Sequence, residues 1–327
     1  GYILEVGVLY TLFKLMPAEV WYVGIGSLSA SLVAMVCNVF AMKKFTPELV
    51  YKRDNVSLPK IKNLVKNGVW SSLNSLGNVL NSGLDLIVSN LMLSGTATGQ
   101  IAVSKTVGTM FQTVFMVVSQ PFQPQMIKSY ATGKIEEFLA SLKKAMIVCG
   151  WFANVAFAGF VALGMIYFKL WLPKENTQVL YYLTTLTVIN YVTDGVLQPV
   201  YYINTLTVKN KIPCWITIIG GLCNVFGMYV LIQNTKLGVY AIAITTATIM
   251  IAINLLFNPI YAAWCLKIKA RMIYKILVRD LISCAIMLVV FIKIEKLLDP
   301  STWIGLIASA LIMCMVALPI HVICMYD

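Results

Sequence analysis

Residues 69–94 read VWSSLNSLGNVLNSGLDLIVSNLMLS, an apolar run of membrane-spanning length that carries Ser71, Asn74, Asn78, Asn81 and Asp85 at steps of three and four. Such steps put all five side chains on one face of a helix. Two further apolar segments repeat the pattern. One carries Lys105, Thr109, Gln112, Ser119 and Gln123, the other Thr184, Thr187, Tyr191, Asp194 and Gln198. An ionisable group facing lipid costs about 2.5–3.5 kcal/mol on insertion scales, so the three faces are expected to turn toward one another around a wet cavity. The pattern reads as a path for a polar cargo through a membrane.

The rest of the chain agrees with that class. It is 59% hydrophobic and 12% charged over 327 residues, with mean hydropathy +0.82, too few charges to cover a soluble globule of this size. A helix of about 20 apolar residues crosses a bilayer. On that ruler the sequence predicts an all-α, polytopic transmembrane bundle of nine spans: 19–42, 69–94, 100–127, 138–168, 177–206, 211–232, 238–266, 277–298 and 302–325. Residues 1–13 are apolar but short, and read as a partial N-terminal helix cut within an earlier span.

The net charge of +12 is distributed by loop rather than gathered as a nucleic-acid surface. Basic residues concentrate in 43–66, 128–144, 209–211 and 267–279, and are sparse in the loops between. By the positive-inside rule the basic set is cytoplasmic, and the alternation agrees with nine crossings. Residues 43–68 break the rhythm with high charge, Pro47 and Pro59. Ile61, Leu64, Val65 and Val69 fall on one helical face away from Lys60, Lys62 and Lys66, as in a cytoplasmic amphipathic connector on the membrane surface.

Within the spans, Lys105 has three readings: snorkelling to the outer surface, binding a cargo phosphate, or pairing with Asp85 across the short 95–99 hairpin. Asp194 lies near the middle of its span, where so short a side chain cannot reach water, and reads as a protonatable or sodium-binding carboxylate or an acceptor for cargo hydroxyls. Arg279 and Asp280 read as a solvated interface pair at the start of a span. Pro121, Pro124, Pro199, Pro259 and Pro319 mark places where helices can bend. Gly220, Gly221, Asn224 and Gly227 favour close helix packing. The eight cysteines form no CxxC pair and behave as small apolar residues, and the lone histidine, His321, is too isolated for a zinc or haem site. No phosphate loop, nucleophile elbow or hydrolase carboxylate pair appears, so no enzyme is expected. No cofactor is implied, and a proton or sodium gradient is the candidate for coupling.

Four stretches, in this order and spacing, resemble a known family. They are GVWSSLNSLGNVLNSGLDLIVSNLMLSGTATGQIAVSKTV (68–107), SQPFQPQMIKSYATGKIEEF (119–138), YYINTLTVKNKIPCWITIIGGLCNVFGMYVL (201–231) and KLGVYAIAITTATI (236–249). The chain is similar to the polysaccharide-transporter branch, the Wzx-type O-antigen and capsule-repeat flippases, of the multidrug/oligosaccharidyl-lipid/polysaccharide exporter superfamily. The resemblance implies two six-helix lobes around a central cavity. Residues 1–42 would then be the tail of the first lobe, 43–68 the connector, 69–266 the second lobe and 267–327 two additional helices, with about five helices of the first lobe missing at the front. It also implies a cytoplasmic-membrane flippase that moves undecaprenyl-pyrophosphate-linked oligosaccharide between leaflets by alternating access. Its partners would be that lipid-linked oligosaccharide, membrane lipids and a glycan polymerase machinery, with no nucleic acid. Asn74, Asn78, Asn81, Asp85, Lys105, Gln112, Tyr191, Asp194 and Gln198 are the candidate cavity and substrate-binding residues. The chain departs from many relatives at Gln100, where they hold a tyrosine after the glycine. A drug or cation exporter of the same superfamily and a membrane-embedded glycan polymerase or ligase are the competing readings. An acidic cavity would favour the exporter, and a large outer loop bearing Arg or His the enzyme.

Overall fold

The computed structural model describes residues 2–17, 19, 21–45 and 57–325, and the described residues are helical with no strand. The middle of the expected connector, 46–56, lies outside the described residues, as do the side chains of Ser71, Lys60, Leu64 and Lys66. In chain order the helices are α1 Tyr2–Leu15, α2 Trp21–Phe45, α3 Leu58–Asn78, α4 Asp85–Met92, α5 Gly95–Ser119, α6 Gln123–Ala131, α7 Ile135–Trp171 and α8 Thr177–Val188. They continue with α9 Tyr191–Leu197, α10 Tyr202–Leu206, α11 Lys211–Asn234, α12 Val239–Ala252, α13 Asn258–Leu266, α14 Arg271–Leu298 and α15 Trp303–Met325.

The chain divides into two units, Gly1–Lys66 and Asn67–Asp327. In the first, α1 and α2 form a hairpin in which the Ser27 hydroxyl donates to Glu5 Oε1 at 2.6 Å and Phe13 meets Tyr22 edge-on.

In the second unit, α7 is the central post, and α5, α8, α9, α14 and α15 all pack on it. Its buried face runs the length of the helix, from Phe138 through Leu142, Met146, Ala153 and Phe157 to Phe168. A circuit of contacts closes beside it: α4 on α5, α5 on α8, α8 on α12, α12 on α11, and α11 on the turn that precedes α4.

Four interruptions break otherwise continuous apolar segments, and three of them sit at prolines. Pro121 lies in the 3-10 turn 120–122 with Pro124 opening α6, Pro199 lies in the 3-10 turn 198–201, and Pro259 follows a π turn at 253–257. Each proline lacks the amide hydrogen that a regular helix needs, so the local bonding pattern shifts. Pro319 differs, since α15 continues through it. The fourth interruption has no proline: residues 79–83 form a π turn closed by the Leu84 amide on the Val79 carbonyl at 3.1 Å.

Among the described residues, six helical stretches are long and apolar enough to cross a membrane: 21–45, 95–131, 135–171, 211–234, 239–266 and 303–325. They match six of the expected spans. The other three expected segments are also helical, but 69–94 and 177–206 are broken by the π and 3-10 turns. The third, 277–298, belongs to α14, whose charged ends include Arg271, Lys275, Arg279, Asp280, Lys293, Glu295 and Lys296.

Candidate functional site

The first polar constellation is built by the hairpin of α4 and α5. Ser94 caps α5 by accepting from the Ala97 amide at 3.1 Å, so α5 starts at once and runs back along α4. Ser89 and Thr98 join the two helices through a 2.9 Å hydroxyl contact. Farther along, Lys105 Nζ reaches Asp85 Oδ2 at 2.7 Å. Asp85 opens α4, where the helix N-terminus favours a negative group. The pair is embedded: Asp85 is 4% exposed and the Lys105 side chain 20%. In the structure Lys105 makes the pairing with Asp85, one of its three readings.

One turn earlier, the π turn meets α11 at very close range. A Cβ on Gly221 would lie 2.5 Å from the Leu80 Cβ, and one on Gly77 2.9 Å from the Thr217 methyl. Asn81, 1% exposed, exploits that approach by donating to the Gly77 carbonyl at 3.0 Å and the Thr217 carbonyl at 2.7 Å. Asn224 of α11 donates back to the Asn81 carbonyl at 2.7 Å and exchanges 3.2 Å contacts with Thr246 of α12. Asn81 Oδ1 and Asp85 Oδ1 have no hydrogen-bond partner. Three broken or glycine-thinned helices thus bring amide, hydroxyl and carboxylate oxygens together in the interior.

A second constellation surrounds Asp194 where two more interruptions meet. The Tyr201 hydroxyl, in the 198–201 turn, lies 2.7 Å from Asp194 Oδ1 and 3.1 Å from Asn254 Oδ1, in the 253–257 turn. Asn254 also donates to Thr193 at 3.3 Å and accepts from Asn258 at 3.0 Å. Tyr191, one turn before Asp194 on α9, lays its ring over Gly108 of α5.

The candidate residues therefore separate. Asp85 and Lys105 are in direct contact, Asn81 lies one turn away, and Tyr191 stands toward Asp194. Gln198 is half-buried at the head of its 3-10 turn, Asn74 is half-buried on α3, and Asn78 and Gln112 are exposed. An open groove of about 640 Å³ lies at the far end of α5, lined by Gln120, Gln123, Pro124, Ile127 and Lys128.

Three residues have roles beyond their expected ones. Asn224 and Thr246 tie α11 and α12 to the π turn, and an amide one turn from two glycines in an apolar helix was the available signal. Asp280 is not a solvated partner of Arg279. It is 0% exposed and bound to Asn154, while Arg279 donates to the Met325 carbonyl at 3.2 Å.

No protein-family profile matches the chain. Over 304 residues it is 24% identical to EpsK, an uncharacterized membrane protein of Bacillus subtilis strain 168, covering 91% of this chain and 59% of that protein. The solved structure of lipid II flippase MurJ in its inward closed conformation superposes with a TM-score of 0.66 at 13% identity, covering 98% of this chain and 65% of that one. The chain shares the fold of the part of that structure which it covers. It is a multi-pass cell-membrane protein that spans less than two-thirds of the length of either of these proteins.

Proposed function

We propose that this chain works in a flippase that carries undecaprenyl-pyrophosphate-linked oligosaccharide repeat units across the cytoplasmic membrane by alternating access. The observation that carries this reading is the fold shared with a lipid II flippase over 98% of the chain. In this reading the chain crosses the membrane nine times, the segments 69–94 and 177–206 and helix α14 adding three crossings to the six long apolar stretches. Residues 69–266 are the second lobe of the transporter, 1–42 the tail of the first, 43–68 the connector and 267–327 two additional helices.

The chemistry of the first constellation supports a pyrophosphate cargo. Lys105 is a cation held inside the bundle by one carboxylate, and a phosphate oxygen is an equivalent partner for its ammonium. Cargo binding exchanges one charge-assisted contact for another, so Lys105 needs no return to water. Asn81, Tyr191, Asp194 and Gln198 offer amide, hydroxyl and carboxyl groups to sugars at the two constellations, and Asn74, Asn78 and Gln112 offer further amides outside them. A lipid-linked cargo leaves the protein only positioning and gating to perform, which agrees with a transporter rather than an enzyme.

The test is transport by the full-length gene product in vesicles loaded with a labelled undecaprenyl-pyrophosphate glycan. Expected is exposure of the glycan to an external glycosidase above protein-free vesicles, with at least a tenfold loss in Lys105→Met. Export of a cationic dye without movement of the glycan would favour the drug-exporter alternative and overturn the reading.

A further inference from the structure

Helix α14 turns one stripe inward, and Ile273, Ile276, Leu277, Asp280, Ser283, Cys284, Met287 and Phe291 are all buried on it. Asp280 is the single charged type in that stripe. Its Oδ1 accepts from Asn154 Nδ2 at 3.0 Å, and the same nitrogen donates to the Asp280 carbonyl at 3.1 Å. The two oxygens left over, Asp280 Oδ2 and Asn154 Oδ1, are both buried with no hydrogen-bond partner. An ionised carboxylate only accepts, and an amide oxygen only accepts. Two side chains already in contact, each with one unanswered acceptor, are short of one hydrogen between them.

Among the described residues no cation supplies the missing charge. Arg279 is turned to the Met325 carbonyl, and Lys275 and, on α7, Lys143 and Lys144 are exposed. His321 of α15 is held by Ser283 and the Ile147 carbonyl at 3.1 and 2.9 Å. Cys149 of α7, Cys284 of α14 and, on α13, Cys265 are buried thiols, Tyr261 of α13 donates to the Lys209 carbonyl, and Asp194 of α9 is taken by Tyr201. A hard metal cation wants about six oxygen ligands, as calcium and magnesium do. Here a Cβ at Gly150 would overlap Asp280 Oδ1, with the Val196 methyl beyond it, so the carboxyl is seated on the α7 backbone against apolar walls. A proton needs no coordination shell.

We propose that Asp280 and Asn154 form a buried proton-binding site, in which the neutral acid donates its Oδ2 hydrogen to Asn154 Oδ1 while Oδ1 accepts from Asn154 Nδ2. The paired acid and amide satisfy both orphan oxygens and latch α14 to α7. One proton taken from water converts carboxylate to acid, and no other bond changes. Loss of that proton leaves a buried anion with one donor, so the latch opens to water as the proton departs. The site goes beyond the flippase reading and is independent of the cargo.

The test uses the full chain in lipid nanodiscs. The wild type at neutral pH is expected to show the infrared carbonyl band of a protonated carboxyl. The band should shift on carboxyl-13C aspartate labelling, and the component assigned to Asp280 should be absent from Asp280→Asn. Asparagine at this position reproduces both hydrogen bonds, so Asp280→Asn should match the wild-type thermal midpoint at neutral pH and keep it at alkaline pH, where the wild type falls. Asn154→Leu should lower the midpoint at both. Absence of the band, a band unchanged in Asp280→Asn, an Asp280→Asn protein less stable than wild type at neutral pH, or a sodium-dependent rise in the wild-type midpoint that Asp280→Asn abolishes would each overturn the proposal. Because no readout involves transport, failure here is distinguishable from failure of the flippase reading.

Discussion

Lys105 Nζ lies 2.7 Å from Asp85 Oδ2, and the two partners differ in their access to water: the lysine side chain is 20% exposed, that of the aspartate 6%. That asymmetry sets an order for their removal. Lys105→Met leaves a carboxylate buried without its cation and is expected to cost about 3 kcal/mol, at the low end of the range for breaking a buried pair. Asp85→Asn leaves a lysine whose long stem can carry its charge outward, and should cost less. The double variant should recover part of the loss. Thermal unfolding of the four proteins in one detergent gives the coupling directly, and equal single losses with no recovery would contradict the geometry.

The contact between α11 and the 79–83 turn makes a sharper prediction at two adjacent glycines. A methyl group at Gly220 meets the far end of Ile253 at 2.7 Å, which can swing away. At Gly221 it meets the Leu80 Cβ at 2.5 Å, with the Gly77 carbonyl and Asn81 amide at 3.2 and 3.3 Å, so backbone must move against backbone. Gly221→Ala should therefore destabilise by about 1–3 kcal/mol, the range for overpacking, and Gly220→Ala by distinctly less. Denaturation midpoints of the two variants decide the matter.

What the sequence made legible follows from what periodicity encodes. Asp85 and Lys105 lie on the inward faces of a hairpin whose length was readable, so their meeting could be anticipated. Gly220, Gly221 and Gly227 were readable as close-packing positions for the same reason. The π turn at 79–83 was not, because no proline marks it, and its Asn81 bonds to the Thr217 carbonyl, 136 residues away. Asp280 was misread for a different reason. Its neighbour Arg279 and the basic residues before it suggest a solvated helix start, yet Asp280 is in phase with Ile273, Leu277, Cys284 and Met287, and that phase was the signal. Gln112 is in phase with Lys105 but is exposed, since a stripe gives the face of a helix and not its depth.

His321 connects three helices. The Ile147 carbonyl can only accept, so Nε2 carries the ring hydrogen and Nδ1 accepts from the Ser283 hydroxyl. His321→Phe leaves both partners buried and unanswered, an expected loss of about 1–3 kcal/mol. With both nitrogens engaged, a chelator should leave the wild-type midpoint unchanged. A fall on chelation would assign this residue a metal role instead.

Asp194 and Tyr201 separate structure from transport. The Tyr201 hydroxyl has one hydrogen and two acceptors within reach, and the shorter contact, 2.7 Å against 3.1 Å, gives it to Asp194. Asp194→Asn keeps an acceptor oxygen for that hydroxyl, so the protein should fold and accumulate normally. What it loses is the carboxyl group beside the Tyr201 hydroxyl. Tyr201→Phe instead removes the donor and leaves Asp194 and Asn254 to share what remains, for an expected loss of about 1 kcal/mol. In the full-length protein, Asp194→Asn should lower export of the lipid-linked glycan at unchanged membrane abundance, whereas Tyr201→Phe should lower the unfolding midpoint. If Asp194→Asn leaves export intact, the carboxylate serves only to hold the 198–201 turn, and the transport path does not run past it.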